Sequence, residues 1–292
     1  MDTDHLHRFM FDGSTIRGEL IHLDHTWQHL LMRQDYPHAV RTVLGEAAAA
    51  TALLAATIKF DGILTLQARG DGPLKLLVVE CTGQRTLRGL ARWDGAAHGL
   101  SFAQLIGNGT LAITIDPGEG SERYQGIVEL AGDSLASCLQ HYFARSEQLP
   151  TRLWLGVDEE RAAGLLVQEM PGNESAEDAD TWNRVCMLAD TVTTDELLAL
   201  PAHNLMHRLF HEEQVRVFEP QAWRFLCTCS EARVASVLRS LGREELGRLL
   251  EEEGNVKVDC EYCGNAYGFD SVDVEQLFSE TLTSTAPSRT RH

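Results

Sequence analysis

The sequence predicts an α+β protein: a mixed α/β core domain, then a helical linker, then a small C-terminal module. Three observations predict it. Strand-period segments alternate with an Ala-rich helix in the first half. The composition turns acidic and weakly apolar from about Gly172. Four of the seven cysteines then cluster near the C-terminus.

Taken in order, Ala47 to Ile58 reads as a buried Ala-rich helix that ends before Asp61-Gly62. Ile63 to Ala68 alternates as a strand and is joined through Gly70-Asp71-Gly72-Pro73 to the apolar run Leu74 to Val79. Leu111 to Ile115 and Tyr124 to Leu130 form a second predicted hairpin around Asp116-Pro117-Gly118-Glu119-Gly120. Ser134 fits the N-cap of a helix carrying Leu135, Cys138, Leu139, Tyr142 and Phe143 on one side. Two further strands are expected at Leu153 to Val157 and Leu165 to Gln168, which completes a core domain over residues 1–172.

Residues 173–220 read as the linker. Glu174, Glu177, Asp178 and Asp180 mark its acidic start, and Thr193 with Glu196 makes a capping box ahead of Leu197, Leu198 and Leu200. Pro201 interrupts before a second short helix with Leu205, Met206, Leu209 and Phe210. Helices this short are marginal alone in water, so they must dock on something. The C-terminal module is expected over residues 221–284, with amphipathic helices Glu231 to Ser240 and Arg243 to Glu252, and residues 285–292 as a polar, frayed tail.

Composition excludes several function classes. With 43% apolar residues the chain has the material for a core and is not wholly disordered. A net charge of −18 repels phosphate backbones, and acidic residues outnumber basic ones around the cysteines too, so no nucleic-acid partner is expected. The longest apolar run falls short of the roughly 20 residues of a membrane span. Asp2, Asp4 and His5 stand where a signal peptide would carry its basic residues, and the expected location is the cytoplasm.

The chemistry sits in Cys227-Thr-Cys229 and Cys260-Glu-Tyr-Cys263, a C-x-C…C-x-x-C pattern whose second half is followed by Gly264. Four thiolates suit one tetrahedral Zn²⁺, and soft ligands argue against Mg²⁺ or Ca²⁺; an Fe–S cluster fits this spacing less well. A zinc site made of four cysteines can be an inert staple or a redox switch. Three considerations favour the switch. The site carries a formal charge of −2 with Glu231, Asp259 and Glu261 close by, which keeps the sulfurs reactive toward oxidants. Each close pair can close a local disulfide once zinc is lost. Zinc binding of about 10–16 kcal/mol is also comparable to the whole stability of a small module, so metal loss should unfold it.

At this point the chain resembles the redox-regulated heat-shock chaperones, the 33-kDa chaperonins, over nearly its full length. The resemblance rests on Asp35-Tyr36-Pro37, Lys59-Phe60-Asp61-Gly62, Gly70-Asp71-Gly72-Pro73 and Glu122-Arg123-Tyr124-Gln125-Gly126. It extends through Arg145-Ser146-Glu147-Gln148-Leu149-Pro150-Thr151-Arg152, Leu198 to Pro201, Cys227-Thr-Cys229-Ser230 and Cys260-Glu-Tyr-Cys263-Gly264-Asn265. It implies an ATP-independent holdase, not an enzyme, that is monomeric and inactive while reduced and zinc-bound. It also implies Cys227–Cys229 and Cys260–Cys263 disulfides on oxidation, zinc release, linker unfolding, dimerisation and capture of unfolding clients. Arg233-Val234 stands where some relatives have a further cysteine.

Other constellations carry less. His203, His207 and His211 recur every four residues and read as a solvated helix face, as do His25 and His29. Gly132-Asp-Ser134 lacks the final Gly of a nucleophile elbow, and Gly107-Asn-Gly109 is a turn with no phosphate-cradling helix after it. Cys81, Cys138 and Cys186 sit among apolar neighbours as small core residues. Two competitors to the holdase remain: a thiol–disulfide oxidoreductase using Cys260 and Cys263, disfavoured by Glu261 and the lack of a thioredoxin-like pattern, and a protein-binding module with a purely structural zinc ribbon.

Overall fold

The computed structural model describes residues 3–118, 122–130, 132–172 and 176–283. The expected tail at 285–292 and the acidic Glu174 lie outside them. The chain divides into two compact units, Met1–Leu226 and Cys227–His292.

In the first unit the elements are β1 (His5–Phe11), β2 (Ile16–Leu23), α1 (His25–Leu31), α2 (His38–Thr57), β3 (Ile63–Gly70), β4 (Leu74–Thr82) and β5 (Thr86–Trp93). There follow α3 (Phe102–Ile106), β6 (Gly109–Asp116), β7 (Tyr124–Glu129), α4 (Leu135–Tyr142), β8 (Thr151–Val157) and β9 (Ala162–Glu169). The unit ends with α5 (Ala176–Ala189), α6 (Thr194–Ala199), α7 (Ala202–Phe210), β10 (Val215–Val217), β11 (Gln221–Ala222) and β12 (Arg224–Phe225). One six-stranded sheet runs β10-β1-β2-β9-β8, with β11 also paired to β1; the other runs β12-β5-β4-β3-β6-β7. Apart from the parallel β12–β5 pair, neighbouring strands are antiparallel.

Helix α2 packs against strands of both sheets. That position explains its Ala-rich sequence. A helix covered by two sheets has no solvent face to make polar, and small side chains let the strands approach. A Cβ on Gly45 would lie 2.7 Å from Val157, and one on Gly164 of β9 would lie 2.8 Å from Leu53. Among the described residues α2 is the one helix long and apolar enough to cross a membrane, but most of it is buried inside the protein.

The first sheet is covered on both faces. Ile21, Leu23 and Leu166 join the core around α2, while Ile16, Leu20, Leu165 and Val167 face the opposite way. On that opposite face Phe9 and Phe11 meet Val185, Leu197, Leu198, Leu205, Leu209 and Phe210 from α5, α6 and α7. The short helices therefore dock on the sheet of the core domain. Each fully buried Leu or Phe contributes about 1.5–3 kcal/mol, so the sheet supplies the order that helices of this length lack alone.

The predicted caps form. Thr193 Oγ1 accepts from Glu196 N at 3.2 Å while Glu196 Oε2 accepts from Thr193 N at 3.0 Å. Ser134 Oγ accepts from Ser137 N at 3.2 Å, which gives this serine its helix-capping role. Pro201 occupies the N-cap position of α7. The segment 221–226, expected in the C-terminal module, instead supplies β11 and β12 to the large sheets, so the compact C-terminal unit starts at Cys227.

The second unit contains α8 (Glu231–Leu241), α9 (Arg243–Glu253), the hairpin β13 (Val256–Asp259) and β14 (Ala266–Phe269), and α10 (Ser271–Thr283). Its described core comprises Ala235, Leu238, Leu246, Val256, Phe269, Val274 and Leu277. That is little apolar burial for a unit of this size.

Candidate metal centre

Two short segments bring the four cysteines together. Cys227 and Cys229 lie between β12 and α8, whose N-cap Ser230 accepts from Arg233 N at 3.3 Å. Arg233 braces the same loop by donating to the Thr228 carbonyl at 2.8 Å. Cys260 follows β13, and Cys263 lies in the turn before β14. In that turn Gly264 N donates to Cys260 O at 2.7 Å and Cys260 N donates to Asn265 O at 2.9 Å. Gly264 has φ +77°, a backbone conformation that side chains other than glycine's disfavour.

The four sulfurs all lie within 4.8 Å of one another and are half-buried. The Cys229–Cys263 sulfurs are 3.3 Å apart and the Cys227–Cys260 sulfurs 3.6 Å apart. A tetrahedral thiolate site with metal–sulfur bonds near 2.3 Å needs sulfurs about 3.8 Å apart. Geometry and donor chemistry therefore suit one metal ion held by Cys227, Cys229, Cys260 and Cys263. Both of these approaches run between the C-x-C and C-x-x-C pairs, as expected of a tetrahedron built from two chain segments.

A feature that residue spacing alone did not show is Tyr267. Its hydroxyl donates to Cys229 Sγ at 3.1 Å, and Asn265 Nδ2 approaches the same sulfur at 3.9 Å. The signal for Tyr267 was present as the alternation Tyr267-Gly268-Phe269, which places both aromatic side chains on one face of β14.

The sulfurs are not electrostatically equal. Burial pushes the Cys229 thiol up, but hydrogen bonds from Tyr267 and the neighbouring thiols outweigh it and hold it at about 7. Burial pushes Cys227 and Cys263 up, and the thiols of Cys229 and Cys260 add to the rise at both. Outside the cluster burial raises Cys81 and Cys138, and brings Cys186 to about 11, which disfavours their thiolate forms. All three are buried, which matches their reading as core residues.

The histidines single out nothing comparable. His203, His207 and His211 are exposed along α7 and its end, and the rings of His207 and His211 stack at 5.9 Å. His25 and His29 are exposed, and His29 lies against Phe225. Gly107 closes α3 at φ +68°, where Asn108 N donates to Asp71 Oδ1 at 2.7 Å, so Gly107-Asn-Gly109 is a turn.

The family model described as Hsp33 protein matches residues 4–270. The chain belongs to the Hsp33 protein family. Among its relatives, the 33 kDa chaperonin of Nitrosococcus oceani is 52% identical over 289 residues, covering 99% of each chain. The 33 kDa chaperonin of Methylobacillus flagellatus is 50% identical over 281 residues, covering 96% of each. The fold matches the crystal structure of the 33 kDa chaperonin (heat shock protein 33 homolog) from Thermotoga maritima with a TM-score of 0.82 at 24% identity, over 96% of this chain and 99% of that one. Membership supports a chaperone role. The resemblance seen in the sequence motifs and the mixed α/β fold with its four-cysteine cluster both stand.

Proposed function

We propose that the chain is a redox-gated, ATP-independent holdase that protects unfolding proteins in the cytoplasm during oxidative stress. In the reduced monomer Cys227, Cys229, Cys260 and Cys263 would hold one Zn²⁺, which supplies folding free energy to the C-terminal unit. The observation that carries this reading is the pairing of four clustered sulfurs with a described core of only seven buried apolar residues. A module with so little apolar burial depends on a contribution on the scale of zinc binding, about 10–16 kcal/mol.

Oxidation converts thiolates to disulfides and removes the donors. Cys227–Cys229 and Cys260–Cys263 are the proposed pairs. Sulfurs of the two pairs also approach each other in the folded cluster, at 3.3 and 3.6 Å, but that proximity depends on the fold. Once the module melts, only partners near in sequence stay close, and C-x-C and C-x-x-C do so at any degree of unfolding.

The proposed effector is residues 173–220, acting as a metastable linker. The undocking of α6 and α7 uncovers Phe9, Phe11, Ile16 and Leu20 on the sheet together with the apolar faces of the helices themselves. Such a surface suits unfolding clients and a second oxidised copy, and its exposure requires neither nucleotide nor catalysis.

The test is direct. The reduced, zinc-loaded chain is treated with peroxide at mildly elevated temperature. Zinc release is followed with a chromogenic chelator, and aggregation of a thermally unfolding client is assayed alongside. Zinc release together with gain of client protection is expected. Protection that is equal before and after oxidation rejects the gate, and zinc that stays bound throughout favours a structural ribbon in a protein-binding module. Turnover of insulin disulfides would indicate an oxidoreductase.

A further inference from the structure

We propose that the Tyr267 hydroxyl is a positioning group that slows oxidation of Cys229 by donating a hydrogen bond to its sulfur. The inference rests on the metal–thiolate reading above. Three observations support it. The O–H···S distance is 3.1 Å, within hydrogen-bonding range for sulfur. The ring is fixed by its place on β14, where Tyr267 pairs with Val258 across the hairpin and packs against the core of the unit. The hydroxyl is therefore carried by a paired strand rather than by a loop. The second donor, Asn265 Nδ2, is 3.9 Å away and correspondingly weaker.

The chemistry follows from the lone pair involved. In the first oxidation step a thiolate sulfur attacks one oxygen of hydrogen peroxide. An S–O bond forms, the O–O bond breaks, and hydroxide leaves, giving a sulfenic acid. A second thiolate then attacks that sulfur, forming the S–S bond and expelling another hydroxide, so two sulfur electrons have gone to the peroxide. An O–H donor on Cys229 Sγ engages electron density that would otherwise make the attack. Charge-assisted hydrogen bonds are among the stronger ones, and partial loss of one on the way to the transition state changes a rate by about three- to tenfold. Tyr267 also joins the C-x-C segment to the hairpin that carries the C-x-x-C turn.

The experiment uses the full, zinc-loaded chain. Wild type, Tyr267→Phe and Asn265→Ala are compared under peroxide. Three quantities are read: zinc per chain, the rate of zinc release to a chromogenic chelator, and the oxidation rate of each cysteine by differential alkylation and mass spectrometry. Tyr267→Phe retains the ring and removes only the donor. It should accelerate oxidation at Cys229 about three- to tenfold, with a smaller effect from Asn265→Ala. Equal acceleration at all four cysteines would mean only a loosened hairpin and would overturn the inference, as would an unchanged Cys229 rate.

Should Tyr267→Phe bind less than one zinc per chain, 3-fluorotyrosine at position 267 carries the test. Its more acidic phenol is a stronger donor and should slow Cys229, and an unslowed rate overturns the proposal. Wild type that binds no zinc, or keeps it under peroxide, overturns the metal–thiolate reading itself and is distinguished from these outcomes by the wild-type arm alone.

Discussion

The Nε2 nitrogen of His22 lies 2.9 Å from the backbone carbonyl oxygen of Leu197, joining β2 to the helix α6 docked above it. Next to it Arg161 pairs with Asp24 and donates to the Leu198 carbonyl. Two carbonyls at the end of α6 are thus held by side chains of the core domain. Helix ends need such partners when they are buried.

This contact makes the docking of α6 sensitive to acid. Burial lowers the affinity of His22 for a proton, and the nearby Arg161 and His7 act in the same direction, while the Leu197 carbonyl and Asp24 oppose them. The folded state therefore binds fewer protons than the unfolded one. Its stability is fully present above the ordinary histidine range near pH 6.5 and declines as pH falls below it. Amide protection factors in α6, with the intrinsic pH dependence of exchange divided out, should fall as pH falls from about 7.5 to about 5.5. His22→Gln keeps a donor for Leu197 and should flatten that dependence.

Glu19 works in the opposite sense. It is 2% exposed, its Oε2 lacks a hydrogen-bond partner, and burial raises it to about 7 against the pull of Arg17 and Arg8. A raised carboxyl favours the folded state while protonated, and that advantage is lost as pH rises from about 4.5 through 7. Glu19→Gln should stabilise the first unit by about 1–2 kcal/mol at about pH 8 and have little effect at about pH 4.5. Denaturant melts at the two pH values measure the difference.

Phe210 anchors the end of α7. It is buried edge-on to Phe11 at 5.0 Å and lies 6.0 Å from Phe9. Phe210→Ala should cost about 3–5 kcal/mol of docking energy. The variant is expected to bind a hydrophobic dye and to hold clients while still reduced. A reduced variant that stays silent in both assays would show that these helices are not the gated surface.

Metal removal acts on the other unit. A strong zinc chelator under reducing conditions should abolish the amide protection of β13, β14 and α8 while leaving α2 protected. The two units have separate cores, and among the described residues the C-terminal one holds the sulfur cluster. Hydrogen exchange resolved by mass spectrometry reads both at once.

Several features were legible because their cause is local. The Thr193–Glu196 capping box, the Ser134 cap and the turn at Gly70–Pro73 depend on residues a few positions apart, and each forms where the residue types predict it. The strands β1 and β2 were not legible. Sequence patterns reveal strands by alternation, and β2 is buried along both faces, one under α2 and the other under α5, α6 and α7. The strands β10, β11 and β12 are two or three residues long and exist only because β1 and β5 offer them edges.

The cysteine spacing by itself pointed to a metal site, because C-x-C and C-x-x-C bring the sulfurs of each pair close, while the meeting of the two pairs is a tertiary contact. It also determined that short helices with one apolar face follow the acidic stretch. Only the tertiary structure decided what those helices cover and which side chain touches the sulfur of Cys229. Both are contacts between residues distant in sequence: Phe210 with Phe9, and Tyr267 with Cys229. Such pairs are set by the packing of whole elements, which local periodicity does not encode.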